Sequence, residues 1–213
     1  MREMLSKLSA MFGKETTPDD RNHLIVGLGN PGREYRDTRH NVGFMAVDRF
    51  CEMQGVRLGK VKFQAIIGET RIGVEKVILA KPQTFMNLSG NAVASVVRFY
   101  KIALENVLVV HDDLDLPFGT LRLRPGGGAG GQKGLQSTID RLGTQQFPRM
   151  RIGIGRPSGQ MDAAAYVLQK FGSADQEELD MILRRAAEAI EIFVREGLDS
   201  AMNRFNGAGE NGT

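Results

Sequence analysis

The sequence predicts an α/β fold, a three-layer sandwich with a mixed, mostly parallel central sheet flanked by helices. Three observations carry this. The apolar runs at residues 24–26 and 107–110 have the length and content of buried strands. Stripes at helical spacing alternate with such runs, as at Val42, Met45, Ala46, Phe50 and Met53, and again at Val93, Val96, Val97 and Tyr100. Two further β-type runs, residues 61–67 and 76–80, are joined by a glycine-containing loop and supply an antiparallel pair.

In chain order, residues 1–22 show no strand pattern and read as a flexible extension that chemistry does not need. Glu3, Glu15, Asp19 and Asp20 argue against an acid-poor organelle transit peptide. His23 precedes the first strand and is expected at the surface. The strand breaks at Gly27-Leu28-Gly29-Asn30-Pro31-Gly32, where three glycines and a proline force a sharp turn. Asn30 is thereby held at the strand's C-terminal end, where open α/β sheets build their sites. The polar stretch 33–39 follows and ends at His40, expected to be exposed, before the helical stripe starts at Val42. The hexapeptide spells G-x-G-x-x-G, but a dinucleotide site needs the helix to open at the glycine turn itself. Here the stripe starts too late, Pro31 interrupts the motif, and no acidic residue closes a second strand at the right spacing.

Beyond the hairpin pair, residues 83–88 form a loop carrying Phe85 and Asn87, with Ser89 the expected N-cap of the next helix. Residues 107–110, the most apolar run, should lie at the sheet's centre and deliver His111-Asp112-Asp113 to its end. Leu121 and Leu123 alternate with Arg122 and Arg124, the pattern of a half-buried strand with a basic outer face. Residues 126–131, five glycines and an alanine, read as a hinge or as a backbone approach to phosphate. Leu135, Thr138, Ile139 and Leu142 give a helix face, residues 150–154 a strand, and Leu179 to Val194 the stripe of one long helix. Ser173 with Gln176 suggests its capping box and Gly197 its stop. Residues 23–206 therefore read as one domain and 207–213 as a disordered tail.

Composition narrows the classes. A chain of 213 residues with 41% hydrophobic content can bury one sizeable core. Its apolar runs fall well short of a membrane span. The lone Cys51 fits a reducing compartment and reads as a buried structural thiol. Of 28 basic and 25 acidic side chains, residues 174–213 hold 4 and 9, so this segment carries −5 and the remainder +8. A basic body fits either a polyanionic partner such as RNA or a solvated surface.

For chemistry, His40 and Asp112 are the pair to weigh. They sit on different elements that can share one rim, and a carboxylate that accepts an imidazole N–H fixes the tautomer that can activate water. His111 adjoins Asp112 and should point elsewhere, as a structural residue. No G-x-S-x-G nucleophile elbow is present, so water would be served directly. Residues 111–113 could also be metal ligands, but no paired-histidine spacing accompanies them, and neither metal nor cofactor is expected.

Residues 27–32 with Tyr35, then Thr38-Arg39-His40-Asn41-Val42-Gly43, resemble the opening signature of bacterial-type peptidyl-tRNA hydrolases. Residues 84–90 (TFMNLSG), 111–117 (HDDLDLP) and 151–155 (RIGIG) continue the resemblance in the same order, from about residue 23 to about 206. The resemblance implies hydrolysis of the ester between an N-blocked peptidyl group and the 3′-terminal adenosine of tRNA, which recycles the tRNA in translation. It implies His40 as general base, Asp112 as its orienter and Asn30 holding the peptide end. Asn87 would bind substrate, and Tyr35 and Phe85 would offer faces to it, although Phe85 could equally be core. It further implies a cytoplasmic, monomeric enzyme. Lys133, after Gln132, stands where the family usually has asparagine; lysine cannot accept a hydrogen bond but can donate one or meet phosphate. That departure keeps a second reading open, a catalytically idle RNA-binding relative.

Overall fold

The computed structural model describes residues 21–157, 159 and 161–207; the expected arm over residues 1–20 and the tail over 208–213 lie outside them. Seven strands form one sheet: β1 (Asn22–Gly27), β2 (Lys60–Lys62), β3 (Ala65–Ile72), β4 (Glu75–Pro82), β5 (Val107–Asp113), β6 (Leu121–Arg124) and β7 (Arg149–Gly153). Six helices accompany them: α1 (Val42–Gln54), α2 (Ser89–Tyr100), α3 (Lys133–Leu142), α4 (Ala163–Val167), α5 (Gln176–Glu196) and α6 (Leu198–Phe205). The strand order is β2-β3-β4-β1-β5-β7-β6. The inner four strands β4, β1, β5 and β7 are parallel, and the edges are antiparallel, so parallel pairing is the core of the sheet and half of its pairings.

Side-chain alternation splits the core in two. Ile25, Leu108 and Val110 face α1 and α5, with Phe50, Ile182, Ala186 and Ile190. Leu24, Val26, Val107 and Val109 face α2 and α3, with Val93, Val96, Leu135 and Ile139. This is the three-layer sandwich. Cys51 is buried in the first layer, and burial, helped by the charge of Asp48, pushes its thiol up to about 12.

Several expectations need correction. The run at 61–67 is two strands, because Phe63 (φ 55°) and Gln64 (φ 57°) turn the chain between Lys62 and Ala65. β3 also continues to Ile72, so the loop is a tight turn at Gly73. β5 is interior, but β1 holds the central place. The first strand starts two residues before the expected run at 24–26, at Asn22, and His23 lies within β1 at 7% exposure, its Nε2 3.3 Å from Glu75. Ser89 is not a cap: it is the first residue of α2, and its buried hydroxyl has no partner. The cap before α5 is made one residue earlier than expected, by Asp175 accepting the Gly172 N–H at 3.0 Å. The helices α4 and α6 follow no stripe read in the sequence.

One close approach matters for the site. A Cβ on Gly43 would fall 2.4 Å from the Val110 carbonyl oxygen and 2.7 Å from that of Leu28. Without a side chain there, the start of α1 seats directly on the ends of β1 and β5, so the preceding turn reaches the rim beyond β5.

Candidate active site

Three segments meet at that rim: the loop after β1, the short turn Arg39–Asn41, and the last residues of β5. Asn41, buried at 2%, ties the first two together. Its Oδ1 accepts the Asn30 N–H at 2.8 Å and its Nδ2 donates to the Asn30 carbonyl at 3.0 Å. The Asn30 side chain is fixed in turn, since its Oδ1 accepts the Met86 N–H at 2.8 Å. With the oxygen held by that bond, the Asn30 amide N–H groups are oriented and available to donate, and Asn30 lines the cavity described below.

His40 Nδ1 lies 2.7 Å from Asp112 Oδ2. An ionised carboxylate only accepts, so the proton belongs on Nδ1, leaving the Nε2 lone pair for a substrate or water. The pair is enclosed rather than exposed as expected: the His40 side chain is 13% and that of Asp112 4% exposed. Gly43 and the turn before it bring about this seating. The second oxygen of Asp112 is also held, accepting from Gln132 Nε2 at 3.0 Å. Gln132 is the N-cap of α3, its Oε1 accepting the Leu135 N–H at 2.7 Å. One amide thus links the start of a helix to the carboxylate that orients the histidine.

The neighbours of Asp112 take other roles. His111 points into the protein, with Nδ1 2.8 Å from the Asp112 carbonyl and a buried, unpartnered Nε2. Burial holds its pKa below the ordinary value, despite the raising effect of that carbonyl and the nearby carboxylates. Asp113 accepts from Arg151 Nε at 2.6 Å and from the Asp115 N–H at 2.9 Å. Burial alone would raise its carboxyl, but these bonds and the Arg151 charge hold it low. Among the described residues no group of three or more His, Cys, Asp or Glu side chains is placed to hold a metal ion.

A cavity of about 680 Å³ opens over the pair, lined by Asn30, His40, Phe85, Asn87, Asp112 and Lys133 among others. Six of the seven residues singled out in the sequence therefore come together. Phe85 is 61% exposed, which removes the core reading for it. Tyr35 does not line the cavity; its carbonyl accepts from the N–H and hydroxyl of Thr38 and so shapes the turn. Sequence reasoning missed Asn41 and Gln132 as the groups that hold the site. Both adjoined residues already singled out, and a buried amide between two loops leaves no periodic trace. The glycine-rich stretch is also more restrained than a free hinge: Arg149, 2% exposed, donates to the Gly127 and Gly128 carbonyls, and to Gln145 at 2.7 Å. Burial and the Arg151 charge lower its guanidinium to about 10, so it stays charged.

Fold and site define an α/β protein whose parallel sheet ends in a histidine–carboxylate pair facing a cavity rimmed by amides. Residues 24–212 match the sequence pattern of the family described as peptidyl-tRNA hydrolase. The chain belongs to that family. It is 55% identical over 184 residues to the chloroplastic peptidyl-tRNA hydrolase of Arabidopsis thaliana, covering 86% of this chain and 64% of that protein's length. It is 51% identical over 183 residues to the peptidyl-tRNA hydrolase of Desulforamulus reducens, covering 86% and 88%. The crystal structure of peptidyl-tRNA hydrolase from Acinetobacter baumannii superposes with a TM-score of 0.83 at 38% identity, covering 90% of this chain and 98% of that one.

Proposed function

We propose that the chain hydrolyses the ester joining an N-blocked peptidyl group to the 3′-terminal adenosine of tRNA, with His40 as the general base. The observation that carries this is the 2.7 Å contact of His40 Nδ1 with Asp112, which leaves Nε2 free beside a cavity lined by Asn30 and Asn87. Nε2 takes a proton from water as the water attacks the ester carbonyl, and Asp112 stabilises the imidazolium that forms. The proton then passes to the ribose oxygen that leaves, giving free tRNA and a free peptide. Asn30 donates to the peptide end, and Asn87 contacts the substrate near the reacting carbonyl. Phe85 offers an exposed ring on the rim.

The departure at Lys133 does not touch the pair, because the amide that holds Asp112 is Gln132. This favours the enzyme over the idle RNA-binding reading. A monomer is part of this reading. Among the described residues no helix is long and apolar enough to cross a membrane. The cytoplasm is the compartment proposed with this activity. The test is release of free tRNA from N-blocked aminoacyl-tRNA, with unblocked aminoacyl-tRNA and chelator as controls. Release from the blocked substrate alone, unaffected by chelator, is the expected result. A protein that binds tRNA without cleaving any blocked substrate would overturn the reading.

A further inference from the structure

The cavity over His40 does not end at Lys133. A second one, of about 530 Å³, shares Asn87 and Lys133 with it and continues along Asn91, Gln136 and Arg141. A third, of about 390 Å³, shares Asn91 and Arg141 with the second and runs to Arg98 and Phe63. Together they make one groove between α2 and α3, both of which start at the site and lead away from it. The helices can lie this close because Gly90 has no side chain; a Cβ there would fall 2.0 Å from the Ser137 carbonyl oxygen. From Lys133 to Arg141 the groove follows eight residues of helix, about 12 Å at roughly 1.5 Å per residue.

The lining is mainly basic, with three cations to one carboxylate. Lys133, Arg141 and Arg98 are exposed and form no ion pair among the described residues. The lone carboxylate, Asp140, accepts from Gln136 Nε2 at 2.8 Å. At the far end Phe63 packs 4.8 Å from the Phe99 ring, and Lys62 lies over both. Cations spaced along a groove that ends on aromatic rings suit an unpaired nucleic-acid strand, whose phosphates and bases they meet in turn. A peptide of arbitrary sequence would gain nothing from such a charge pattern.

We propose that the groove between α2 and α3 holds the unpaired 3′-terminal nucleotides of the substrate RNA, with Lys133, Arg141 and Arg98 spaced along its phosphates and Phe63 as a stacking face. This rests on the function proposed above and adds the path by which the strand reaches His40. At about 3.4 Å per stacked nucleotide, 12 Å accommodates roughly three.

The test compares the wild type with an R98A/R141A double variant on two substrates, N-acetyl-aminoacyl-tRNA and N-acetyl-aminoacyl-adenosine, which lacks the strand. The expected result is a KM about tenfold higher on the tRNA substrate, with kcat retained, and no change on the adenosine substrate. The slope of log KM against log salt should fall by about 1.4, two charges at roughly 0.7 each for a single strand. The R98K/R141K variant should behave as wild type. An unchanged KM and slope on the tRNA substrate overturn the proposal. So does an equal loss on both substrates, which would mean a structural role, or a loss that appears only when the peptide is lengthened, which would give the groove to the peptide. Direct titration with an unacylated RNA tetranucleotide of the 3′-terminal sequence separates this from the activity itself. Weaker binding by the double variant and by Phe63→Leu supports the groove even if the wild type cleaves nothing, and equal binding sinks it.

Discussion

The two faces of the sheet handle charge in opposite ways. On the side of α1 and α5, basic groups are paired: Lys81 with Asp48 at 2.6 Å, Arg49 with Asp180, Arg184 with Asp180 at 2.8 Å, and Arg195 with Glu191 at 2.7 Å. On the side of α2 and α3, Arg98, Lys133 and Arg141 have no carboxylate partner among the described residues, and the two cavities that continue from the site lie along them. The acidic excess of residues 174–213 is largely α5, which neutralises one face and leaves the basic excess to the other. A near-neutral net charge thus hides a charge-paired, structural face and an open face suited to a polyanion. Each variant below belongs to one face or to the rim between them, and the contrast fails if its effect crosses over.

The largest effect belongs to the rim. His40→Ala removes the base, and turnover should fall by about 10²–10⁴-fold or more, with melting temperature and tRNA affinity retained. Asp112→Asn should approach the same loss, because an amide can leave the imidazole in the wrong tautomer. Near-normal kcat in the His40 variant would end the assignment. The charge-paired face should answer in stability alone. Phe50 is fully buried against the sheet, so Phe50→Ala should cost about 3–5 kcal/mol of unfolding free energy. Activity per folded molecule, measured below the melting transition, should stay near wild type. A loss of kcat would show that the two faces are mechanically coupled.

Gln132 sharpens the boundary. Its amide donates to the Asp112 carboxylate, a bond of the kind worth about 1.5–3 kcal/mol. Gln132→Ala should lower kcat by roughly 10- to 100-fold at little change in KM. Gln132→Glu should be worse, since it sets a second carboxylate against the first. Equal kcat in wild type and Gln132→Ala would show that His40 alone orients Asp112.

The paired elements explain what the sequence could and could not disclose. Strands β1 and β5 and helices α1, α2, α3 and α5 were legible because burying one face leaves a periodic apolar record. The contact between His40 and Asp112 was legible because one precedes a recognisable helix and the other lies at the end of a recognisable strand, and the family resemblance singled out His40. The hairpin turn at Phe63 and Gln64 was not, because neither is a glycine or asparagine and local preference lost to the register of β2 on β3. His23 looked exposed because its neighbours to one side are polar; its burial comes from Phe193 on α5, 170 residues away in the chain, at 5.8 Å between rings. Asn41 and Gln132 act through side-chain hydrogen bonds between separate segments, which composition and period do not encode.

Two buried histidines give the fold a pH limit that is separate from catalysis. Burial holds both His23 and His111 below the ordinary histidine value, against the opposing pull of Glu75 and of the Asp112 carbonyl respectively. The unfolded chain, with histidines near about 6.5, therefore binds the extra protons first as pH falls. Stability should be fully present above about pH 6.5 and decline below it. Melting curves from pH 7.5 to 5.5 check this, and the decline should be shallower in His111→Gln. An equal decline in that variant would remove His111 from the account.

The smallest effect should come from Lys133, where the open face meets the rim. Lys133 is exposed at the start of α3 and lines both the cavity over His40 and the one that continues from it. Asp112 is held by Gln132 and not by residue 133, so the side chain at 133 is free to face the cavities it lines. If its contribution is to donate a hydrogen bond, Lys133→Asn should change turnover at most several-fold. If its contribution is charge, Lys133→Ala should weaken tRNA binding and flatten the salt dependence by about one counterion. In neither case should kcat fall as it does for His40→Ala. The idle RNA-binding reading makes the opposite claim: wild type inactive, and hydrolysis switched on by Lys133→Asn. Parallel assays of the wild type and both variants on one N-blocked aminoacyl-tRNA decide between them.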